Sequence, residues 1–328
     1  MAARRPVRIP FLAAIALLLF SIGCAARLAP PEADEVQAES AREAHTAAAI
    51  DDLSGMIERV LRVSGRLRTA GARFCEDQVA PLLGIDIEQR IPAPDPPHFW
   101  DAYLATFGVE KKITVTVVDP WSPADRAGVR SGDWILAVNG RRARRALDVF
   151  EILRDEPDRP PQLKIQRGEE TLEIQTELRP ACAHEVLVNL TSEIITGRAK
   201  RNHAWISVGM IRFVETDDEL AVVIGHELAH RIRGGGHGSK TELRADKIGL
   251  VLAARAGYDE TVAPAFWERF ALEKPWMIRW EPDSKRAKEP WHARVAERLL
   301  AMRKVLGEIA RLRTEGRPLL VSDEGARP

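Results

Sequence analysis

The chain has 328 residues, of which 45% are hydrophobic and 29% charged, and its formal net charge is +0. This balance excludes a largely disordered chain and gives no support for nucleic-acid binding, which needs an excess of positive charge. A chain of this length exceeds the usual size of one hydrophobic core, so more than one domain is expected.

Residues 1–23 differ from this average composition. Arg4, Arg5 and Arg8 precede the apolar run Phe11–Phe20, which is too short to cross a bilayer comfortably as a helix. A basic start followed by a short apolar run is typical of a secretory signal peptide, which we predict here.

A cysteine follows this segment directly. The run Ser21-Ile22-Gly23-Cys24 resembles the lipobox of bacterial lipoproteins, although serine stands where leucine is usual. The resemblance implies lipidation of Cys24, a periplasmic location and, because Ala25 follows, the outer membrane. A plain secretory signal with an incidental cysteine is the alternative. Residues 24–40 would then be a tether from the membrane.

The remaining cysteines are Cys75 and Cys182, which bring the total to three. If Cys24 carries lipid, these two form an even pair in an oxidising compartment, and we predict a disulfide between them. The alternative is two buried free thiols.

Apolar residues recur at helical spacing between residues 41 and 68, namely Leu53, Ile57, Val60, Leu61 and Leu67. We predict a long helix there, which with a connector covers residues 41–95. A cluster of prolines suggests a domain boundary at the end of that connector: Pro92, Pro94, Pro96 and Pro97.

A β-rich domain is predicted for residues 96–180. Lys112–Val118 is a β-branched strand, Phe150–Arg154 a helix, and Gln162–Arg167 and Thr171–Leu178 are closing strands. The run Ser122–Gly140 closely resembles the core of a bacterial PDZ domain.

The PDZ resemblance implies peptide binding, because PDZ domains add a peptide as an extra strand at a sheet edge and hold its carboxylate with backbone N–H groups. The matching loop is assigned to Phe107, Gly108 and Val109, which depart from the usual Gly-Leu-Gly-Phe pattern. A packing or gating role is the alternative. Since Cys75 and Cys182 flank this segment, we predict that it is inserted into another domain, with the disulfide at its neck.

The stretch Ala221–His230 ends in His-Glu-x-x-His. Residues four apart lie on one face of a helix, so His226 and His230 can present two imidazole nitrogens to one ion. Glu227 then lies beside the metal, where a catalytic zinc site needs a base for its bound water.

A catalytic zinc needs a third protein ligand. One candidate is His237, in a glycine-rich run that resembles the metzincin pattern HExxHxxGxxH with its glycine and histidine one residue late. The other is Glu242, which opens a second apolar helix. Asp246, one turn further on, would accept a hydrogen bond from a ligand histidine and fix its tautomer. We favour Glu242.

HELAH at residues 226–230, ELRAD at residues 242–246 and Ala256–Asp259 together resemble the M48 zinc metallopeptidases, which are gluzincins. The short link between His230 and Glu242 resembles the bacterial lipoprotein branch of that family, which also carries a PDZ domain. The resemblance implies an α+β fold, with a mainly helical peptidase domain at residues 181–315, a small edge sheet and an inserted PDZ-like domain.

The resemblance also implies the site. One Zn²⁺ per chain would be held by His226, His230 and Glu242. Glu227 would be the base, and Asp246 would accept a hydrogen bond from a ligand histidine. An edge strand in Asn202–Gly209 would pair with the substrate backbone. From the residues themselves, we predict that the preceding His184–Thr196 is a helix.

Members of that family often carry His-Pro followed by an arginine near the C-terminus, where this chain has Glu289–Arg294. His292 and Arg294 are therefore candidates for stabilising the oxyanion, although the start of a surface helix is the alternative for His292. Arg298–Leu312 is predicted to be an amphipathic helix, and residues 316–328 a tail.

These predictions describe a membrane-anchored zinc endopeptidase that cleaves envelope proteins in quality control or processing. Its partners would be protein or peptide substrates and a membrane, without nucleic acid. The alternative is a lipoprotein adaptor or chaperone that binds peptides through the PDZ and has a structural or latent zinc site. The presence of Glu227 argues against that alternative, because a structural site has no use for a base.

Overall fold

The computed structural model describes residues 34–75, 78–89, 98–120, 122–190, 192–194, 196–200, 203–232, 239–273 and 295–320. Within them the fold is α+β, which confirms the predicted class. The predicted signal peptide, Cys24, His237, His292 and Arg294 lie outside the described residues.

A long helix, α1, runs from Glu35 to Gly71. It begins within the predicted tether because glutamate, glutamine and alanine, which are strong helix formers, already dominate there. Val60, Val63 and Leu67 are almost fully buried along its second half. A 3-10 turn, Ala72–Phe74, ends the helix and leads to Cys75.

A short antiparallel ladder forms a neck after this turn. Strand β1 (Val79–Leu82) pairs with β8 (Arg179–Cys182), and the register places Val79 opposite Cys182. The predicted Cys75–Cys182 disulfide is present beside the ladder, with the two Cα atoms 5.6 Å apart. The chain therefore leaves and re-enters the mainly helical part at one place.

The PDZ-like unit lies between the two neck strands. Its sheet has the order β2-β3-β4-β6-β7, with β5 paired to β4. The strands are β2 Ile85–Glu88, β3 Thr114–Val118, β4 Trp134–Val138, β5 Arg141–Arg142, β6 Gln162–Arg167 and β7 Glu170–Gln175, and the helices are α2 His98–Thr106, α3 Pro123–Arg126 and α4 Ala146–Asp155.

The predicted start of this unit at residue 96 is wrong. Strand β2 pairs antiparallel with β3, and its Ile85 and Ile87 are buried in the same apolar core as Val115 and Leu153. The prolines that suggested a boundary follow β2 in sequence, outside the described residues. A proline cluster interrupts a connection inside a domain as effectively as one between domains.

A three-stranded sheet follows the neck, in the order β10-β11-β9. Strand β9 (Glu185–Asn189) pairs parallel with β11 (His203–Ser207), and β10 (Gly197–Lys200) pairs antiparallel with β11. The helix predicted for His184–Thr196 is therefore wrong. Val186 and Val188 alternate along β9 and pack on the core, as β-branched residues do in strands.

The remaining helices are α5 Val208–Phe213, α6 Asp217–Ile232, α7 Ser239–Arg255, α8 Ala263–Leu272 and α9 Val295–Thr314. They share one apolar core with α1, whose members include Leu67, Ile224, Leu252, Phe266 and Met302. Among the helices of the described residues, none has both the length and the apolar character needed to cross a bilayer.

Candidate metal centre and peptide-binding edges

Helix α6 is fixed at its first turn. Asp217, Asp218 and Glu219 lie there, where negative charge stabilises a helix N-terminus. Asp217 accepts hydrogen bonds from Arg59 and Arg62 of α1, both at 2.7 Å. Burial alone would raise the pKa of Asp217, but these two guanidinium groups lower it, so the anchor stays charged.

Helices α6 and α7 approach closely because glycine faces glycine where they cross. A Cβ built on Gly225 would lie 2.8 Å from the carbonyl oxygen of Gly249, and one built on Gly249 would lie 2.7 Å from the backbone nitrogen of His226. Only hydrogen fits at both positions. This approach brings the histidines of α6 next to Glu242, in the first turn of α7.

Three side chains converge between the two helices, and we call this group, His226, His230 and Glu242, the donor triangle. The Nε2 atoms of His226 and His230 are 3.1 Å apart, and Glu242 places its two oxygens 3.3 Å from the first and 3.5 Å from the second. Zinc bonds of 2.0–2.1 Å in a tetrahedron require donors about 3.3–3.4 Å apart. The three side chains therefore fit a tetrahedral ion with one corner left open, and all three are buried.

The electrostatics of this group favour a cation. Burial alone would lower the pKa of His226, but hydrogen bonds to Asp246 and Glu242 raise it to about 9. Burial would raise the pKa of Glu242, but the two imidazoles hold it well below its usual range. The carboxylates thus favour positive charge at the Nε2 atoms, which is what a metal ion supplies.

Asp246 lies behind the first histidine. Its Oδ1 atom is 2.8 Å from Nδ1 of His226. Burial would raise the pKa of Asp246, but neighbouring Arg298 lowers it, so the group is a carboxylate that can only accept. Nδ1 of His226 therefore donates, which leaves Nε2 as the nitrogen at which a metal would replace the proton.

Arg298 is a site residue that the sequence analysis missed. It is the buried partner of Asp246, with Nε and an Nη atom at 2.7 and 2.6 Å from the two carboxylate oxygens. Its guanidinium carbon lies 4.6 Å from the ring centre of Trp267. Its burial could have been inferred from the sequence, because Arg298 shares one face of α9 with Met302 and Ile309. An arginine on an apolar face needs a charged partner.

Glu227 lies outside the donor triangle. It is only 9% exposed, and burial raises the pKa of its carboxyl group. Strand β10 runs against it, since a Cβ built on Gly197 would lie 2.9 Å from Glu227 Oε1. A buried carboxylate beside the metal position, but not among its ligands, is placed as a general base must be.

The predicted substrate-pairing segment, Asn202–Gly209, is wrong. Strand β11 forms most of it and is the central strand of its sheet, so β9 and β10 occupy both of its edges. A central strand has no backbone groups left for a substrate. The edge strand beside Glu227 is β10, which the sequence analysis did not identify.

The predicted PDZ carboxylate loop is also wrong. Phe107, Gly108 and Val109 follow the end of α2, where Gly108 adopts φ +62°. The N–H groups of Gly108 and Val109 donate to the carbonyls of Ala105 and Leu104, as at many helix C-termini. These N–H groups are therefore not available to a peptide carboxylate.

The PDZ-like sheet has β2 and β7 at its two edges, and β2 pairs only with β3 among the described strands. Gln89, the residue after β2, connects this edge to α4. Its side-chain oxygen accepts from the N–H of Ala146, and its side-chain nitrogen donates to the carbonyl of Arg144. The start of α4 is thereby held beside the end of β2.

Comparison with known families agrees with this geometry. Residues 195–239 match the model of peptidase family M48, and residues 114–167 match the model of a PDZ domain. The resemblance to M48 peptidases is confirmed. The matched M48 segment contains both histidines and Glu227, and it ends in the first turn of α7, before Glu242.

Solved structures similar to this chain cover its PDZ-like part. They include the PDZ domain of HtrA3 bound to a phage-derived ligand, FGRWV (23% identity, TM-score 0.25, 31% of this chain and 88% of that chain). Another is the HtrA-type protease AlgW with a decapeptide (19% identity, TM-score 0.25, 31% of this chain and 30% of that chain). A third is a serine endoprotease from Yersinia pestis (21% identity, TM-score 0.22, 31% of this chain and 30% of that chain). The chain thus spans about a third of the length of the two proteases. No curated protein matches the chain.

Proposed function

We propose that this M48-type protein is a zinc-dependent endopeptidase. The observation that carries the proposal is the donor triangle formed by the side chains of His226, His230 and Glu242. Its two Nε2 atoms are 3.1 Å apart, and one Glu242 oxygen lies 3.3 Å from the first while the other lies 3.5 Å from the second, which suits a tetrahedral zinc with an open corner. Glu227 supports the same reading, because a purely structural site has no use for a buried carboxylate beside it.

The roles of the residues follow from their positions. Bound zinc would polarise the scissile carbonyl and lower the pKa of a water molecule. Glu227 would accept a proton at its carboxylate during the attack of water and would donate it to the leaving amine. Asp246 orients the imidazole of His226, and Arg298 in turn holds Asp246 in place and keeps it charged.

Two strand edges suit an extended peptide. At the catalytic site, β10 is the edge strand that lies against Glu227, so a substrate paired to its outer side would run beside the base. In the PDZ-like unit, β2 is an edge strand with α4 beside it. A peptide added antiparallel to β2 would place its C-terminus next to Leu83 and Gly84, at the start of that strand.

The setting that we propose is the bacterial envelope. The lipobox-like run ending in Cys24 supports a lipid anchor, and the Cys75–Cys182 disulfide supports an oxidising compartment such as the periplasm. The substrates would be envelope proteins that are processed or removed there, with the PDZ-like unit binding or gating them.

Glu227→Gln tests the enzymatic role. Loss of the base should lower the turnover of a casein substrate roughly 100- to 10,000-fold, while the metal ligands remain intact. Zinc content per chain should therefore equal that of the wild type. Glu268→Gln, an exposed carboxylate on α8, is the matched control and should retain full activity.

The adaptor alternative predicts a different result. If wild type and Glu227→Gln show the same residual hydrolysis with zinc bound, the site is structural or latent. Peptide binding through the PDZ-like unit would then be the principal activity.

A further inference from the structure

Gly197, the first residue of β10, lies against the side chain of Glu227. A Cβ built on this glycine would lie 2.9 Å from Oε1, 3.0 Å from Cγ and 3.2 Å from Cδ of Glu227. Real Cβ atoms are essentially never closer than 3.0 Å to a neighbour, so any side chain at position 197 would have to displace something. Its three nearest neighbours all belong to Glu227.

The strand at this point is less free to move than the carboxylate. The residue before Gly197 is Thr196, whose N–H donates to Ser207 Oγ and whose carbonyl accepts from the N–H of Ser207. Ser207 Oγ is also 2.6 Å from the carbonyl oxygen of Ile194. Ser207 itself is 1% exposed and forms the N-cap of α5.

A second contact holds the segment that leads into β10. A Cβ built on Gly209 would lie 2.1 Å from the carbonyl oxygen of Glu193, so backbone passes directly over backbone there. With Ser207 and Gly209 fixing Glu193, Ile194 and Thr196, the start of β10 cannot easily move away from Glu227. The carboxylate of Glu227 is the end of a flexible side chain, and it would move first.

We propose that Gly197 is a positioning residue for the proposed hydrolysis. Its bare backbone forms the surface against which the Glu227 carboxylate rests, and this contact sets the distance from the carboxylate to the metal position. The inference depends on the proposed function, because only a working base has a position that matters for turnover. It adds to the metal ligands and the base a role for the strand that lies against them.

The test is Gly197→Ala in the full chain. The added methyl should push the carboxylate aside without disturbing the donor triangle, because the three atoms nearest to it would belong to Glu227 and not to a metal ligand. Displacement of a catalytic group by about 1 Å costs roughly 100-fold, so kcat on casein should fall roughly 10- to 100-fold. KM and zinc content should stay within about twofold of wild type.

Gly307→Ala is the matched control. Gly307 lies in α9, and nothing is within 4 Å of a Cβ built there, so this variant should keep wild-type kcat. Ser207→Ala is a second variant that retains the glycine but removes the hydroxyl that holds Thr196. It should lower kcat severalfold with zinc retained. Wild-type kcat in both Gly197→Ala and Ser207→Ala would overturn the inference.

A double-mutant cycle separates positioning from a merely structural effect. Glu227→Asp shortens the side chain and should by itself reduce kcat, but it also withdraws the carboxylate from position 197. The loss caused by Gly197→Ala should therefore be at least threefold smaller in the Glu227→Asp background. Strictly additive losses would contradict direct contact. If wild-type hydrolysis does not depend on Glu227, the proposed function fails instead, and that result is read from Glu227→Gln alone.

Discussion

At the scale of single residues, the site is organised by a buried charge pair behind the ligands. Arg298 makes two hydrogen bonds with Asp246, and Asp246 shares its Oδ1 atom between Arg298 and His226. Both partners are almost fully buried. Removing one partner of such a pair leaves an uncompensated charge in the interior, which is strongly destabilising.

Arg298→Gln should therefore weaken metal binding. Without the guanidinium, Asp246 loses its orientation and His226 loses the partner that fixes its tautomer, and the loss of such outer contacts typically costs 10- to 100-fold in metal affinity. Competition with a zinc chelator measures this directly. Arg303→Gln, on the exposed face of the same helix, should leave the affinity unchanged. Equal affinities for both variants would remove Arg298 from the site.

The residues of the candidate metal site could be predicted from the sequence because they are closely spaced in it. The pairs His226/His230 and Glu242/Asp246 are each four apart, so helical geometry alone puts each pair on one face. Arg298 lies 52 positions beyond Asp246 and reaches it only through the packing of α9 on α7. Spacing in the sequence carries no information about a contact of that kind.

At the scale of elements, two short strands were missed, each for its own reason. Strand β10, Gly-Arg-Ala-Lys, shows no alternation, and β2 is followed by prolines that suggested a boundary. The order of the strands in a sheet decides which strand has an edge open to a peptide. That order depends on the whole sheet, so the sequence pointed to β11 instead of β10.

The crossing of α6 and α7 is the contact between elements on which the donor triangle depends. In Gly225→Ala, a methyl group 2.8 Å from the carbonyl oxygen of Gly249 would force the helices apart. Overpacking of this kind costs about 1–3 kcal/mol. We expect a lower melting temperature together with weaker zinc binding, because the histidines and Glu242 lie on different helices.

Gly55→Ala is the control for that substitution. A Cβ built on Gly55 in α1 has nothing within 4 Å, so alanine there should stabilise the helix by up to about 1 kcal/mol. Calorimetry and zinc titration distinguish the two variants. If Gly225→Ala behaves like Gly55→Ala, the close approach of the helices does not determine the geometry of the site.

At the scale of the whole molecule, the disulfide closes the insertion of the PDZ-like unit. Cys75 and Cys182 are 107 residues apart in sequence, and both are buried beside the neck ladder. The insertion was predictable because the two cysteines flank the PDZ-like run. The place of β2 in the inserted sheet was not predicted from the sequence.

The Cys75→Ala/Cys182→Ala double variant should unfold at a lower temperature. A cross-link over so long a loop restricts the unfolded chain, and such bonds typically contribute about 2–4 kcal/mol, which for a chain of this size corresponds to a fall of roughly 3–6 °C in the melting temperature. Calorimetry of wild type and variant measures the difference. At low temperature the variant should retain zinc and hydrolyse casein normally, because α6 and α7 hold the donor triangle without the neck. A variant that melts with the wild type would show that the β1–β8 ladder and the two cores already hold the insertion in place.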